Sequence, residues 1–214
     1  MTTNREFPLF ASLFGSIGLA STICLSLTSC ATQSPEKPPC CQAIKSGVPI
    51  SDQSLYQLDS RWTSDQGREI QLGNLRGQPQ VVAMVFTSCE FACPIIVNDM
   101  KRIAAALPKD VQGKVNFTLI SFDHERDTPE KLRAFRQRMQ LPMADWTLLR
   151  GGVDDVRELA ALLGVNYRKD ARGQYAHSNI LTVLSPNGEM VHQQMGLNQP
   201  PDESVKQLLH LLQQ

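Results

Sequence analysis

Two cysteines, the second followed directly by a proline, stand near the middle of this 214-residue sequence. Cys89 and Cys93 lie in residues 86–94, which read FTSCEFACP. Thiolate sulfur ligates soft metals and attacks disulfides, so the pair is a candidate metal site or redox couple. A purely structural disulfide is a further interpretation, although a bridge that closes so small a loop constrains little of the unfolded chain.

His177 is a candidate third ligand, although it is distant in sequence. It opens the segment HSNI, just before an apolar run that we expect to return as a strand beside the strand preceding the cysteines. An ordinary surface or core histidine is the alternative. Two thiolates and one imidazole form a three-coordinate soft site, which suits Cu(I) better than zinc, because zinc normally takes four ligands.

The elements that must position these residues follow an α/β pattern. Residues 81–86 (VVAMVF) form a continuous apolar run, which predicts a central strand buried on both faces. Residues 94–107 carry apolar side chains at helical spacing, and residues 115–122 predict a second strand. The cysteines therefore follow the carboxyl end of a central strand, where open α/β sheets place their sites.

Pro94 indicates how the cysteines meet the helix. Proline suits the first helical turn and biases the preceding residue away from helical angles, so we predict Cys93 at the helix N-cap. The free N–H groups and the positive end of the helix dipole would then stabilise both sulfurs as thiolates.

The remaining patterns complete the predicted fold. They are a hairpin turning at residues 65–68, helices over residues 129–139, 153–163 and 203–212, and a second hairpin turning at residues 185–189. Thr128 is the expected N-cap of the helix that begins at Pro129. This order predicts a thioredoxin-like α/β fold: a central sheet flanked by helices, an N-terminal hairpin, and a C-terminal hairpin and helix.

Asp123 and His124 end the second predicted strand, at the same sheet edge as the cysteines. In the simpler interpretation, they belong to a loop whose carboxylate caps the next helix. The alternative hypothesis is that one of them tunes or supplements the metal site.

The N-terminal residues predict export and membrane attachment. Residues 1–29 have a basic start and a long apolar stretch, as in a signal sequence, and Leu27-Thr28-Ser29-Cys30 resembles a bacterial lipobox with Cys30 as the acylated residue. An uncleaved transmembrane anchor is the alternative. Residues 30–52 are a proline-rich tether, and residues 53–214 are the folded domain. Both interpretations place the domain outside the cytoplasm, facing the bacterial periplasm.

The charge balance and a pair of adjacent cysteines bear on the possible partners. The chain has 21 basic and 21 acidic residues, and this balance gives no sign of a nucleic-acid partner. The adjacent Cys40 and Cys41 in the tether bridge each other only with strain. They are either incidental or auxiliary thiols that pass copper on or resolve a disulfide.

Three segments together resemble the Sco/SenC family of copper-binding, thioredoxin-like proteins: FTSCEFACP, SFDHERDTPEKLRAF and AHSNILTVLSPNGEMV. The resemblance runs from about Ser54 to the C-terminus. It implies that Cys89, Cys93 and His177 bind copper, as Cu(I) and also as Cu(II). It further implies delivery to a copper-acceptor protein, such as the oxidase subunit with the binuclear copper centre of cytochrome c oxidase, and a thiol–disulfide reductant as a second partner.

The chain also departs from the family pattern. Glu90 stands where members often have proline, His124 where they usually have proline, and Ala176 where an aspartate commonly precedes the histidine. The resemblance favours a copper chaperone over an enzyme. The alternative is an extracytoplasmic thiol–disulfide oxidoreductase that uses Cys89 and Cys93 without metal. A peroxidase is less well supported, since it rests on Thr87 lying two residues before Cys89.

Overall fold

The computed structural model describes residues 51–214. Within this range the chain forms nine strands and four α-helices. The strands are β1 (Arg61–Ser64), β2 (Glu69–Gln71), β3 (Gln80–Val85), β4 (Asn116–Ser121), β5 (Trp146–Gly151), β6 (Tyr167–Lys169), β7 (Tyr175–His177), β8 (Ile180–Leu184) and β9 (Met190–Met195). The helices are α1 (Ala92–Ala106), α2 (Pro129–Arg138), α3 (Val153–Leu162) and α4 (Asp202–Leu211).

Seven of these strands form one mixed sheet in the order β2-β1-β5-β4-β3-β8-β9. β3, β4 and β5 are parallel neighbours, and α1 and α2 provide the crossovers between them. β8 lies antiparallel to β3 on its other side, as expected from the sequence. The thioredoxin-like α/β prediction is confirmed, including both hairpins and the C-terminal helix.

The centre of the sheet is apolar because its strands are covered on both faces. Every residue of β3 is buried, as the continuous apolar run predicts. Trp62 of β1 is fully buried against Gly151 of β5, where an added Cβ would lie 2.7 Å from the indole ring. α1 and α4 contact each other, and α2 and α3 contact β5.

Parallel pairing fixes where the loops meet. Val85 of β3 lies opposite Ser121 of β4, so the segments after the two strands leave the same edge of the sheet. The cysteine loop follows β3, and Asp123 follows β4. β6 and β7 form a separate two-stranded ladder, the β6–β7 arm, and His177 is its last residue rather than the first residue of the next hairpin.

The expected signal sequence, lipidation at Cys30, the Cys40–Cys41 pair and residues 30–50 of the expected tether lie outside the described residues. The last two tether residues, Ser51 and Asp52, are described, and the Ser51 carbonyl accepts the Ser54 N–H at 3.0 Å. Over residues 51–214, no helix is both long and apolar enough to cross a bilayer.

Candidate metal centre

The cysteine loop connects the end of β3 to the first turn of α1. The Cys89 N–H donates to the Phe86 carbonyl at 3.2 Å, which turns the chain back over the strand end. The Cys93 N–H then donates to Cys89 Sγ at 3.3 Å. Both residues are free thiols, with Cys89 9% exposed and Cys93 fully buried.

The predicted N-cap position of Cys93 is wrong. α1 begins at Ala92 with Phe91 as its N-cap, so Cys93 is the second helical residue and Pro94 the third. Proline is tolerated there because the first N–H groups of a helix have no partner within the helix. One such N–H group, that of Cys93, instead donates to Cys89 Sγ. The helix start therefore does stabilise a sulfur, but through the second residue of the helix.

The two sulfurs differ in protonation. A hydrogen bond from the Cys93 side chain is the main cause that lowers the pKa of Cys89 to about 3, and His177 contributes in the same direction against burial. The hydrogen bond to Cys89 and burial raise the pKa of Cys93. Two neighbouring thiolates repel each other, so one proton stays on the pair. The predicted stabilisation of thiolates therefore agrees with the lowered pKa of Cys89 but not with the raised pKa of Cys93.

His177 presents one ring nitrogen to the cysteines. Its Nδ1 lies 3.0 Å from the Ser178 carbonyl, which can only accept, so Nδ1 carries a proton. Nε2 lies 3.8 Å from Cys93 Sγ. In the neutral ring, Nε2 offers a lone pair to a metal, and in the imidazolium it donates a hydrogen bond to a thiolate.

Aromatic rings hold the imidazole in place. Its centroid lies 5.2 Å from that of Phe122 and 6.0 Å from that of Phe86, edge-on to the latter. Tyr175, two residues earlier in the β6–β7 arm, packs edge-on against the same two phenylalanines. These contacts reduce the rotamer freedom that ligand binding would otherwise have to remove.

Cys89 Sγ, Cys93 Sγ and His177 Nε2 form a compact set of ligand atoms. The three side chains offer one ligand atom each, all within 4.8 Å of one another, so together they are close enough to bind one metal ion. Thiolate sulfur is a soft ligand and imidazole also suits copper, so the set favours Cu(I) once metal binding has displaced the proton of Cys93. Cys89 and His177 border a cleft of about 440 Å³, whereas Cys93 lies buried behind them. Phe91, 78% exposed, lies at the rim of this cleft.

Asp123 and His124 occupy different positions near this centre. Asp123 is fully buried, pairs with Arg126 and accepts the Tyr175 hydroxyl at 3.4 Å. It also accepts the Arg126 N–H at 3.3 Å, so it closes the turn before α2, whereas Thr128 is the N-cap. His124 lies 4.0 Å from Glu125. Neither belongs to the three-residue ligand group, and a tuning role for either stays a prediction.

The sequence did not indicate that three residues hold the cysteine loop: Thr87, Asp127 and Arg138. Asp127 accepts the backbone N–H and the hydroxyl of Thr87, and Arg138 donates to the Thr87 carbonyl. The one sequence signal is Asp127 itself, an acidic residue in the DHERDTPE stretch that follows the second predicted strand at the same sheet edge as the cysteines.

Comparison with known proteins agrees with this description. A family model described as SCO1/SenC matches residues 51–213. A candidate copper-binding protein of Stutzerimonas stutzeri is 27% identical over 120 residues, which are 54% of this chain and 57% of that protein. The chain thus covers less than two thirds of that relative's length.

Two solved structures share the fold. ScoI of Arabidopsis thaliana with copper bound superposes with a TM-score of 0.63 at 21% identity, covering 72% of this chain and 96% of that one. A SCO1/SenC family lipoprotein of Bacillus anthracis gives 0.65 at 24% identity, covering 71% and 92%. Since the family model covers more than half of the sequence, this chain belongs to the SCO1/SenC family.

Proposed function

We propose that this protein binds copper through Cys89, Cys93 and His177 and delivers it to a respiratory copper enzyme. The observation that carries the proposal is the set of two sulfur atoms and one imidazole nitrogen that lie within 4.8 Å of one another. The copper bound to the Arabidopsis ScoI structure and the copper-binding name of the Stutzerimonas relative support the choice of metal. The copper ion is cargo, so the centre must both hold it and release it.

The unequal burial of the ligands suits release. Cys93 is fully buried and Cys89 is 9% exposed, so an incoming ligand reaches the metal from the Cys89 side. The cleft beside Cys89 is bordered by the exposed Phe91, which offers an apolar contact to an acceptor protein. Following the family resemblance, the acceptor is an oxidase subunit with a binuclear copper centre or another copper enzyme.

Reduction of disulfides is a second function, favoured by the unequal pKa values of the two thiols. The Cys89 thiolate, whose pKa is about 3, attacks a disulfide sulfur of the acceptor, which forms a mixed disulfide and releases one acceptor thiolate. Cys93 then loses its proton and attacks Cys89 Sγ. The second acceptor thiolate leaves, and Cys89 and Cys93 end as a disulfide after giving two electrons. A separate thiol reductant must restore the pair.

The same proposal includes a location. A lipid on Cys30 would hold the domain at the outer face of a bacterial membrane, facing the periplasm. The lipobox-like Leu27-Thr28-Ser29-Cys30 supports this, and so does the lipoprotein among the structural neighbours. In that position Cys40 and Cys41 are auxiliary thiols close to the membrane.

Anaerobic titration with Cu(I) tests the proposal, on the reduced protein with Cys40 and Cys41 replaced by serine so that they bind no copper. We expect one tightly bound copper per chain, weaker binding in His177→Ala, and loss of tight binding in Cys89→Ala and Cys93→Ala. Disulfide reductase activity separates the second function, since it survives His177→Ala and is lost with either cysteine. A reduced parent protein that binds no stoichiometric copper would rule out copper delivery.

A further inference from the structure

Thr87, the second residue after β3 and two before Cys89, is held on both sides of its backbone. Its N–H donates to Asp127 Oδ2 at 2.9 Å, and its hydroxyl donates to Asp127 Oδ1 at 2.5 Å. Its carbonyl accepts a hydrogen bond from the Arg138 guanidinium at 2.6 Å. Both partners belong to the segment after β4, so the start of the cysteine loop is fixed to a neighbouring part of the fold.

Asp127 is a buried carboxylate, and its side-chain hydrogen bonds join the ends of two strands at this edge of the sheet. It is 1% exposed, and besides Thr87 it accepts the Ser121 hydroxyl at 2.6 Å. Ser121 is the last residue of β4, so one carboxylate ties the ends of two parallel strands together. A buried carboxylate is costly unless it is hydrogen-bonded, and here three donors satisfy it.

These contacts bear directly on the metal ligands. Cys89 is linked to the held Thr87 through Ser88 alone, and its own N–H bonds to the Phe86 carbonyl. We propose that Asp127 is a positioning residue of the copper centre: by fixing Thr87, it sets the distance of Cys89 Sγ from the other two ligand atoms. Asp127 makes no hydrogen bond to a ligand atom, but its negative charge contributes to the raised pKa of Cys93. Thr87→Val keeps that charge, so this variant isolates the effect that passes through the loop. The inference rests on the proposed function and deepens it.

Four variants test this role. Asp127→Asn keeps the volume of the side chain but replaces one acceptor oxygen with an NH₂ donor. That donor then faces a donor group of Thr87 or Ser121, so a hydrogen bond is lost. Thr87→Val removes the hydroxyl alone, and Thr87→Ser keeps it. The matched control is Asp65→Asn, because Asp65 is also buried (2% exposed) and bonds to Arg136 of α2 instead of the cysteine loop.

Two measurements are made on the full chain, with Cys40 and Cys41 replaced by serine in every protein so that they bind no copper. The first is Cu(I) affinity, from competition with a chromophoric Cu(I) chelator. The second is the equilibrium of the Cys89–Cys93 disulfide with glutathione, which needs no metal.

We expect Asp127→Asn to bind Cu(I) about 10- to 100-fold more weakly, as is typical when a group that orients a ligand is lost. Its disulfide equilibrium constant should shift as well. Thr87→Val should weaken binding in the same direction, and Thr87→Ser should recover it. Asp65→Asn should lose stability but keep the copper affinity of the parent.

Parent-like copper affinity and disulfide equilibrium in Asp127→Asn would overturn the inference. An equal loss of affinity in Asp65→Asn would also overturn it, because general destabilisation would then explain both variants. If the parent binds no copper, the proposed function fails, while the disulfide equilibrium still decides the role of Asp127. If Asp127→Asn does not fold, the Thr87→Val and Thr87→Ser pair carries the same test.

Discussion

The reactivity of Cys89 should be almost independent of pH in a range where an ordinary thiol changes greatly. The perturbation is a change from pH 8 to pH 5 in the reduced, metal-free protein. The pKa of Cys89 is lowered to about 3, first by hydrogen bonding from the Cys93 side chain. Because the thiolate is the nucleophile, the ionised fraction sets the rate at each pH.

The size of the expected rate change follows from the pKa of an ordinary cysteine and that of Cys89. A cysteine of pKa 9.0 is about 0.01% ionised at pH 5 and about 10% at pH 8, so its rate changes roughly 1,000-fold. Cys89 is about 99% ionised at pH 5, so its reaction rate changes less than about twofold between pH 5 and pH 8. A thiolate of low pKa is less nucleophilic, by roughly 250- to 1,000-fold for this difference in pKa. Cys89 should therefore react roughly 10- to 40-fold faster than an ordinary thiol at pH 5.

Iodoacetamide alkylation, resolved by mass spectrometry of the Cys89 peptide, measures these rates. Cys93→Ala is the control, because it removes the main cause of the lowered pKa and should restore a steep increase of rate with pH. A steep increase in the parent, with the same midpoint as in Cys93→Ala, would refute the reasoning.

Two further predictions concern stability and membrane attachment. Asp65→Asn should lower the free energy of unfolding by about 3–5 kcal/mol, because it leaves the buried Arg136 guanidinium without its counter-charge. Urea denaturation measures this free energy, and a change within about 0.5 kcal/mol would argue against the prediction. Cys30→Ser should abolish incorporation of a labelled fatty acid in bacterial cells, and continued labelling would show that lipid attaches elsewhere.

Much of the fold is local in the sequence and could be predicted from it. The VVAMVF run identifies β3, and Thr128-Pro129 marks the start of α2. The turns at residues 65–68 and 185–189 mark both hairpins. The β6–β7 arm was not predicted, because residues 167–169 and 175–177 are short and largely exposed and so lack a clear apolar alternation.

Only part of the site could be predicted from the sequence. Residue type and strand ends make Cys89, Cys93 and His177 candidate ligands, and the family resemblance implies that they bind copper. The structure brings their ligand atoms together. The N-cap prediction for Cys93 failed because α1 begins two residues earlier than predicted, at Ala92, and the proline bias on the preceding residue does not exclude a helical Cys93 in the first turn. The contact between Thr87 and Asp127 joins loops after two different strands, and no local pattern encodes such a contact.

The central claim is that two cysteines and one histidine hold copper together. The most direct test is X-ray absorption at the copper edge of the Cu(I)-loaded protein, with Cys40 and Cys41 replaced by serine. We predict two sulfur ligands and one nitrogen ligand, with the nitrogen lost in His177→Ala. Sulfur-only coordination in the parent, or an unchanged spectrum in His177→Ala, would contradict the assignment of His177 as a ligand.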